Sequence, residues 1–289
     1  MILITGATGH LGKATIDFLL KKGISANNIA ALVRDEAKAA DLKALGITLR
    51  KGDYHDYASL ETAFQGIDKL LLISSSDMND RTTQQLNVVK AAKATGVKHI
   101  LYTSFQHQNG VVSSIPFIAQ PHLDTEKAVK ESGLAFTILK NTLYIDILPM
   151  FFGEKVLETG IFLPAGNGKV AYATRSEMAE AIAQILATDE HENKIYELTG
   201  NTAYNLHDMA AILSELSGKT VIYKDAPAEV YTDVMTKAGV PADAIGFLAA
   251  FSGAIKNNEF DLADDTLEKL IGRATMAPKE YFSSVYFAN

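Results

Sequence analysis

A short stretch near the start of the chain constrains its fold more than any other. Thr5-Gly6-Ala7-Thr8-Gly9-His10-Leu11-Gly12 follows an apolar run, Ile2 to Ile4, and leads into an amphipathic segment, Leu11 to Lys22. Glycines at this spacing between a strand and a helix suit a dinucleotide-binding turn. Gly6 permits the tight turn, Gly9 removes the side chain where a pyrophosphate approaches, and Gly12 lets the helix pack closely on the strand. The helix N-terminus then faces the phosphates. Gly6, Ala7, Thr8, Gly9, His10, Leu11 and Gly12 are therefore the first cofactor-binding candidates.

Beyond the turn the strand-then-helix rhythm repeats. Strand-like runs Ile29 to Val33, Thr48 to Lys51, Leu70 to Ile73, His99 to Thr103 and Phe136 to Leu139 alternate with helical patterns over Glu36 to Leu45, Ser59 to Gln65, Gln84 to Thr95 and Asp124 to Ser132. Short, continuously apolar strands separated by amphipathic helices predict an α/β fold, a Rossmann-like doubly wound parallel sheet. After Lys140 the rhythm breaks. An aromatic segment, Leu143 to Phe152, and a glycine-rich, hairpin-like stretch, Gly160 to Gly168, depart from the sheet. A helix over Ser176 to Leu186 and a strand over Ile195 to Leu198 return to it. From Asn205 three or four helices are expected, including Asp208 to Leu216 and Asp264 to Leu270, with one strand at Val221 to Tyr223. The pattern gives a nucleotide-binding domain of residues 1–142 plus about 170–199. A small, mostly helical, discontinuous C-terminal domain, about 143–169 plus 200–289, forms the substrate side.

Composition removes whole classes of function. With 27 Lys+Arg against 34 Asp+Glu the net charge is −7, and no basic run offers a nucleic-acid surface. The chain has no cysteine, so there is no disulfide framework, thiolate nucleophile or Cys-containing zinc site. No basic leader precedes the first strand, and the apolar stretches fall short of the roughly 20 residues of a membrane span. The expectation is a cytoplasmic protein without metal.

At the end of the second strand, where NAD-binding proteins place an acid on the ribose 2′-hydroxyl, this chain has Arg34, with Lys38 four residues on. A guanidinium there suits a 2′-phosphate, so NADP is favoured over NAD. Asp53, after the third strand, is open between accepting a hydrogen bond from adenine and capping the next helix. Ser74, Ser75, Ser76, Thr103 and Ser104 end the fourth and fifth strands, where ligands of open α/β sheets lie, and should flank the nicotinamide ribose.

The glycine turn, Arg34 and the acid after the third strand resemble the short-chain dehydrogenase/reductase superfamily, yet no tyrosine here has a lysine four residues later. His122 and Glu126 occupy the i and i+4 positions of the helix where that pair belongs. This departure, with Leu139-Lys140-Asn141-Thr142-Leu143-Tyr144, Gly166-Asn167-Gly168-Lys169, Ala173-Thr174-Arg175 and Lys269-Leu270-Ile271-Gly272-Arg273, resembles the NmrA-like atypical short-chain reductases over the whole chain. Within them it is most similar to the type 2 NAD(P)H:quinone oxidoreductases and triphenylmethane dye reductases. The resemblance implies a flavin-free, NADPH-dependent reductase with its cleft between the two domains. Carried over by motif, Gly6 to Leu11, Arg34, Ser74 to Ser76, Lys140 to Tyr144 and Lys169 to Arg175 would line the cofactor, which adds Lys140, Asn141, Thr142, Lys169 and Arg175 to the candidates.

The missing tyrosine narrows the acceptor. Carbonyl reduction needs a proton donor for the nascent alkoxide, whereas a quinone receiving hydride becomes a hydroquinone anion of phenol-like pKa, about 10, able to take its proton from water. A cationic dye needs no proton. Proximity and orientation then supply most of the rate. Phe105, His122, Tyr144, Phe151 and Tyr172 are candidates for a pocket around a flat ring, with His122, Asn141 and Tyr144 as the catalytic candidates. The competing reading is an NADP-binding redox sensor without turnover; a sugar-nucleotide epimerase is disfavoured by the missing pair. The expected state is monomer or homodimer.

Overall fold

The computed structural model describes residues 1–107 and 112–287; residues 288–289, the end of the expected substrate-side segment, lie outside it. The chain runs through β1 (Ile2–Ile4), α1 (His10–Lys21), β2 (Ile29–Val33), α2 (Ala40–Ala44), β3 (Thr48–Lys51), α3 (Tyr57–Ala63) and β4 (Lys69–Leu72). The second half of the main layer comprises α4 (Arg81–Ala94), β5 (His99–Phe105), α5 (Pro116–Glu131) and β6 (Ala135–Asn141). Then come α6 (Leu148–Phe152), α7 (Val156–Thr159), β7 (Ile161–Phe162), α8 (Arg175–Ala187) and β8 (Lys194–Leu198). The chain ends in α9 (Leu206–Ser217), β9 (Tyr223–Lys224), α10 (Ala228–Lys237), α11 (Ala242–Lys256), α12 (Thr266–Ile271) and α13 (Pro278–Tyr286).

Seven strands pair in parallel in the order β3-β2-β1-β4-β5-β6-β8. Both faces of the sheet are covered, which is why β2, Ile29-Ala30-Ala31-Leu32-Val33, is buried at every position. On one face α1 and α8 close over the sheet, with Ile16, Leu19, Ile182 and Ile185 fully buried in one cluster. On the other, Leu60, Phe64, Val88 and Tyr102 share a second cluster. Burial of each such aliphatic side chain contributes about 1.5–3 kcal/mol. A third cluster joins Phe105 and Ile118 to Phe151, Phe152, Tyr231, Phe260 and Phe282, and so packs the later helices against the carboxyl edge of the sheet. The strand order reverses at β1, between β2 and β4, and that reversal opens a crevice at the carboxyl ends of the strands.

Three sequence expectations need correction. The Gly160 to Gly168 stretch is not a hairpin: β7 pairs in parallel with β9, and the expected strand Val221 to Tyr223 lies at Tyr223–Lys224. Five helices, not three or four, follow Asn205 among the described residues. Helix α5 begins at Pro116, eight residues before the expected start at Asp124, and runs through Pro121. Proline removes one helical N–H, so it reads as a boundary, but flanking packing of Ile118, Ala119 and His122 carries the helix past it. No helix among the described residues is long and apolar enough to cross a membrane.

Candidate functional site

The glycine turn opens one end of the crevice. Gly9 is the N-cap of α1 and offers no side chain to its first-turn amides, so those donors point outward toward any anion. Gly6 holds a φ of 57°, and with Thr8 it lines a cavity of about 360 Å3 shared with Leu32, Arg34, Asp53 and Ser74 to Ser76. Ala7, Leu11 and Gly12 are buried beneath the turn and shape it rather than face the cavity, while His10 is exposed. Thr5 ties the floor together: its hydroxyl donates to the Leu71 carbonyl and accepts from the Ile73 amide, and the Tyr54 hydroxyl donates to the Ile73 carbonyl.

Arg34 is exposed at the cavity rim and forms no ion pair among the described residues. Asp35 instead caps the following turn by accepting from the Ala37 amide. Lys38 is exposed on that turn and does not line the cavity. Asp53 lines it, its carboxylate accepting from the His55 amide. The helix-capping alternative for Asp53 fails, because Asp56 is the N-cap of α3 and accepts from the Ser59 amide.

Ser74 and Ser76 join this cavity to a second, of about 390 Å3. The serine loop is held by the expected Thr103 and by two glutamines, Gln84 and Gln85, that carried no sequence signal. Gln85 accepts from the Ser75 amide and Gln84 accepts from the Ser75 hydroxyl, while Thr103 accepts from the Ser74 amide. The second cavity brings together Ser104, Phe105, His122, Asn141, Thr142, Tyr144 and Arg175, as expected, and adds Met78, Arg81, Phe247 and Phe251. The Asn141 amide donates to the Tyr144 hydroxyl at 2.9 Å, and the Arg175 guanidinium lies 5.0 Å over the Tyr144 ring. Asn141 Oδ1 and Thr142 Oγ1 are buried here without partners. Ser104 lines the cavity but donates to buried Glu126 at 2.7 Å. Met78 and Phe247 in turn lead to an apolar chamber of about 1030 Å3, walled by Met150, Phe151, Phe152, Phe162 and Met235.

Besides Lys38, three candidates sit elsewhere. Lys140 is buried and reaches Glu197, its register partner on β8, at 3.5 Å; successive strand residues point to opposite faces of the sheet, so Asn141 lines the cavity and Lys140 turns to the Glu197 face. Lys169 is exposed and lines neither nucleotide-side cavity. Tyr172 lies in the third apolar cluster with its hydroxyl unpartnered; Ala173 next to it bridges Tyr144, which turns Tyr172 inward. Met78, Arg81 and Phe247 were equally silent in the sequence, because they converge only when the serine loop, α4 and α11 meet.

His122 is buried against Phe105, ring centroids 5.7 Å apart, with its Nδ1 2.7 Å from the Tyr102 hydroxyl. Burial first, then the charges of Arg81 and His107, hold its pKa at about 3. The ring is therefore neutral at physiological pH and is no imidazolium acid. The unfolded chain takes up a proton as pH drops through 6.5; the folded chain does not. The stability contribution is thus complete above 6.5 and declines toward pH 3. At about pH 5 the deficit from this residue is about 2 kcal/mol. Urea unfolding at neutral and acidic pH should show a steeper acid loss for wild type than for His122→Gln; equal losses would contradict the assignment.

A family model described as the NmrA-like family matches residues 1–274. Quinone oxidoreductase 2 of Escherichia coli (strain K12) is 42% identical over 291 residues, covering 100% of both chains. The solved structure of an Escherichia coli NADPH-dependent quinone oxidoreductase complexed with NADPH has a TM-score of 0.91 at 39% identity and covers 99% of this chain and 100% of that one. Citrobacter sp. triphenylmethane reductase complexed with NADP(H) has a TM-score of 0.91 at 40% identity, covering 97% and 98%. With a family match that takes in both the glycine turn and the later segments facing it, the chain belongs to the NmrA-like family.

Proposed function

We propose that the protein is an NADPH-dependent oxidoreductase that passes hydride directly to a quinone or similarly flat, conjugated acceptor, without flavin. The observation that carries this reading is a row of three neighbouring cavities with shared lining residues: a glycine turn whose first helix amides have no side-chain cap at one end, Asn141 and His122 in the middle, and an apolar chamber at the other. The residues fit a dinucleotide. Its phosphates suit the α1 N-terminus, its 2′-phosphate suits Arg34, which has no ion pair among the described residues, and the unpartnered Asn141 and Thr142 oxygens line the neighbouring cavity. When bound, the dinucleotide supplies a hydride. Residues 1–142 and about 170–199 would hold it, with 143–169 and 200–287 closing over the acceptor.

The chain's own part is to bind, orient and exclude water. Phe105 and Phe251 line the cavity beside neutral His122, and among the described residues lining it there is no lysine or histidine cation to protonate the product. A hydroquinone anion needs none. The quinone and dye reductases among its relatives support the same acceptor class. His122→Ala should therefore retain a substantial fraction of quinone turnover, against the 10²- to 10⁴-fold loss typical of a general acid.

The test is to mix purified protein with NADPH and a short-chain benzoquinone, follow nicotinamide absorbance and inspect the protein spectrum for flavin. Rapid oxidation without flavin is expected; tight NADPH binding without consumption across quinones and dyes would instead establish a sensor. Arg34→Ala should weaken NADPH binding by about ten- to a hundredfold, the worth of a charge-assisted hydrogen bond, and leave NADH binding unchanged. An unaltered NADPH preference would remove Arg34 from the nucleotide site.

A further inference from the structure

Arg81, the first residue of α4, is 9% exposed and lines the central cavity with Phe105, His122 and Asn141. It has no carboxylate partner among the described residues. Its Nε is buried without any hydrogen bond, and Nη2 makes only a weak contact of 3.7 Å to Met78 Sδ. Asp77, the acid that acts on it from a distance, is committed elsewhere: its carboxylate accepts from the Asn79 and Asp80 amides and from Gln84 Nε2. Burying a charge without a partner is costly, and a guanidinium does not relieve that cost by giving up its proton. Asn141 Oδ1 and Thr142 Oγ1, unpartnered in the same cavity, are acceptors and cannot neutralise it.

We propose that Arg81 is a specificity-determining residue that holds the oxygen on which negative charge gathers as the acceptor is reduced, selecting quinones and anionic acceptors over cationic dyes. The inference rests on the reductase reading above. Hydride transfer moves one hydrogen nucleus and two electrons from the dihydronicotinamide C–H bond to the quinone. The donor is oxidised to NADP+ and the quinone becomes a hydroquinone monoanion, which later takes a proton from water to leave hydroquinone and hydroxide. The N–H groups of Arg81 meet that oxyanion before the proton arrives, and a charge-assisted hydrogen bond in a dry cavity is stronger than the one made to the neutral carbonyl. A cationic triphenylmethane dye accepts hydride at carbon and becomes neutral. It gives Arg81 no anion to hold and must enter against its charge.

The experiment compares wild type with Arg81→Met and Arg81→Gln for kcat/KM toward 1,4-benzoquinone, anthraquinone-2-sulfonate and malachite green, with NADPH affinity measured alongside. Both variants should lose about ten- to a hundredfold in quinone kcat/KM and more with the sulfonate. Malachite green turnover should hold or rise, and NADPH affinity should stay unchanged. Equal losses on all three acceptors would show a merely structural role and overturn the proposal. Weakened NADPH binding with an unchanged acceptor ratio would assign Arg81 to the nucleotide phosphates instead. If wild type turns over no acceptor, the reductase reading fails, and calorimetry with deprotonated 4-nitrophenol in the presence of NADP+ decides this inference separately. Tighter binding to wild type than to either variant supports an oxyanion site; equal binding removes it.

Discussion

Alanine at Gly12 is expected to lower both stability and NADPH affinity, while alanine at Gly9 lowers affinity alone. A Cβ on Gly12 would stand 2.3 Å from the Gly6 carbonyl oxygen and 2.8 Å from Ala7 Cα. Both are backbone atoms of the turn, so no flexible side chain can yield. Alanine in a helix would ordinarily gain up to about 1 kcal/mol over glycine, but overpacking of this kind costs about 1–3 kcal/mol and displaces the turn. The expected net loss is about 2 kcal/mol in urea unfolding, with at least a tenfold weaker NADPH affinity. Gly9 differs. Its backbone, φ −83° and ψ 169°, is open to any residue, and its added Cβ would meet only the Gly6 oxygen, at 3.3 Å. Stability should change by under about 1 kcal/mol, while the methyl group obstructs the phosphates. Wild-type NADPH binding in Gly9→Ala would show that this turn is not the phosphate site.

The second large effect lies outside the cleft. Glu177 is 1% exposed, and its two carboxylate oxygens hold two parts of the chain. Oε2 accepts from the Thr174 amide and hydroxyl, at 3.0 and 2.8 Å, closing a capping box at the start of α8. Oε1 accepts from the Met276 amide and from Arg273. Arg273 is half exposed, so its ion pair adds little; the buried Thr174 amide and the part-buried Met276 amide matter more, because among the described residues neither has another acceptor. Glu177→Ala should destabilise the protein by about 3–5 kcal/mol, and Glu177→Gln, which keeps one carbonyl oxygen, by roughly half of that. Arg175, two residues earlier, lines the central cavity and should lose its place in the alanine variant. Urea unfolding of both variants reads this directly. A Glu177→Ala protein as stable as wild type would mean that the segment from Arg273 through α13 docks by apolar contact alone.

The elements that were legible in the sequence share a physical property: their signal is local. The strand Ile2–Ile4, the glycine turn and the helix after it are specified by neighbouring residues, and continuously apolar strands report a sheet covered on both faces. Even the place of Arg34 at the cavity rim emerges from counting along one βαβ unit. The errors arise where a long-range partner overrides local chemistry. Pro121 reads as a helix stop, yet packing on both sides of it extends α5. Lys140 and Asn141 read as one motif, but the alternation of β6 sends one to Glu197 and the other to the cavity.

Sequence alone therefore determined the parallel sheet and the glycine turn between its first strand and helix, because each depends on residues adjacent in the chain or at a fixed short spacing. Only the tertiary structure decided which side chains share the central cavity. Arg81, His122, Asn141 and Phe247 belong to α4, α5, β6 and α11, and no periodicity within any one of those elements says which others it will face. The same holds for the charges: His122 is neutral and Arg81 lacks a carboxylate partner among the described residues because of what surrounds them after folding, and desolvation is a property of the packed molecule rather than of a residue type.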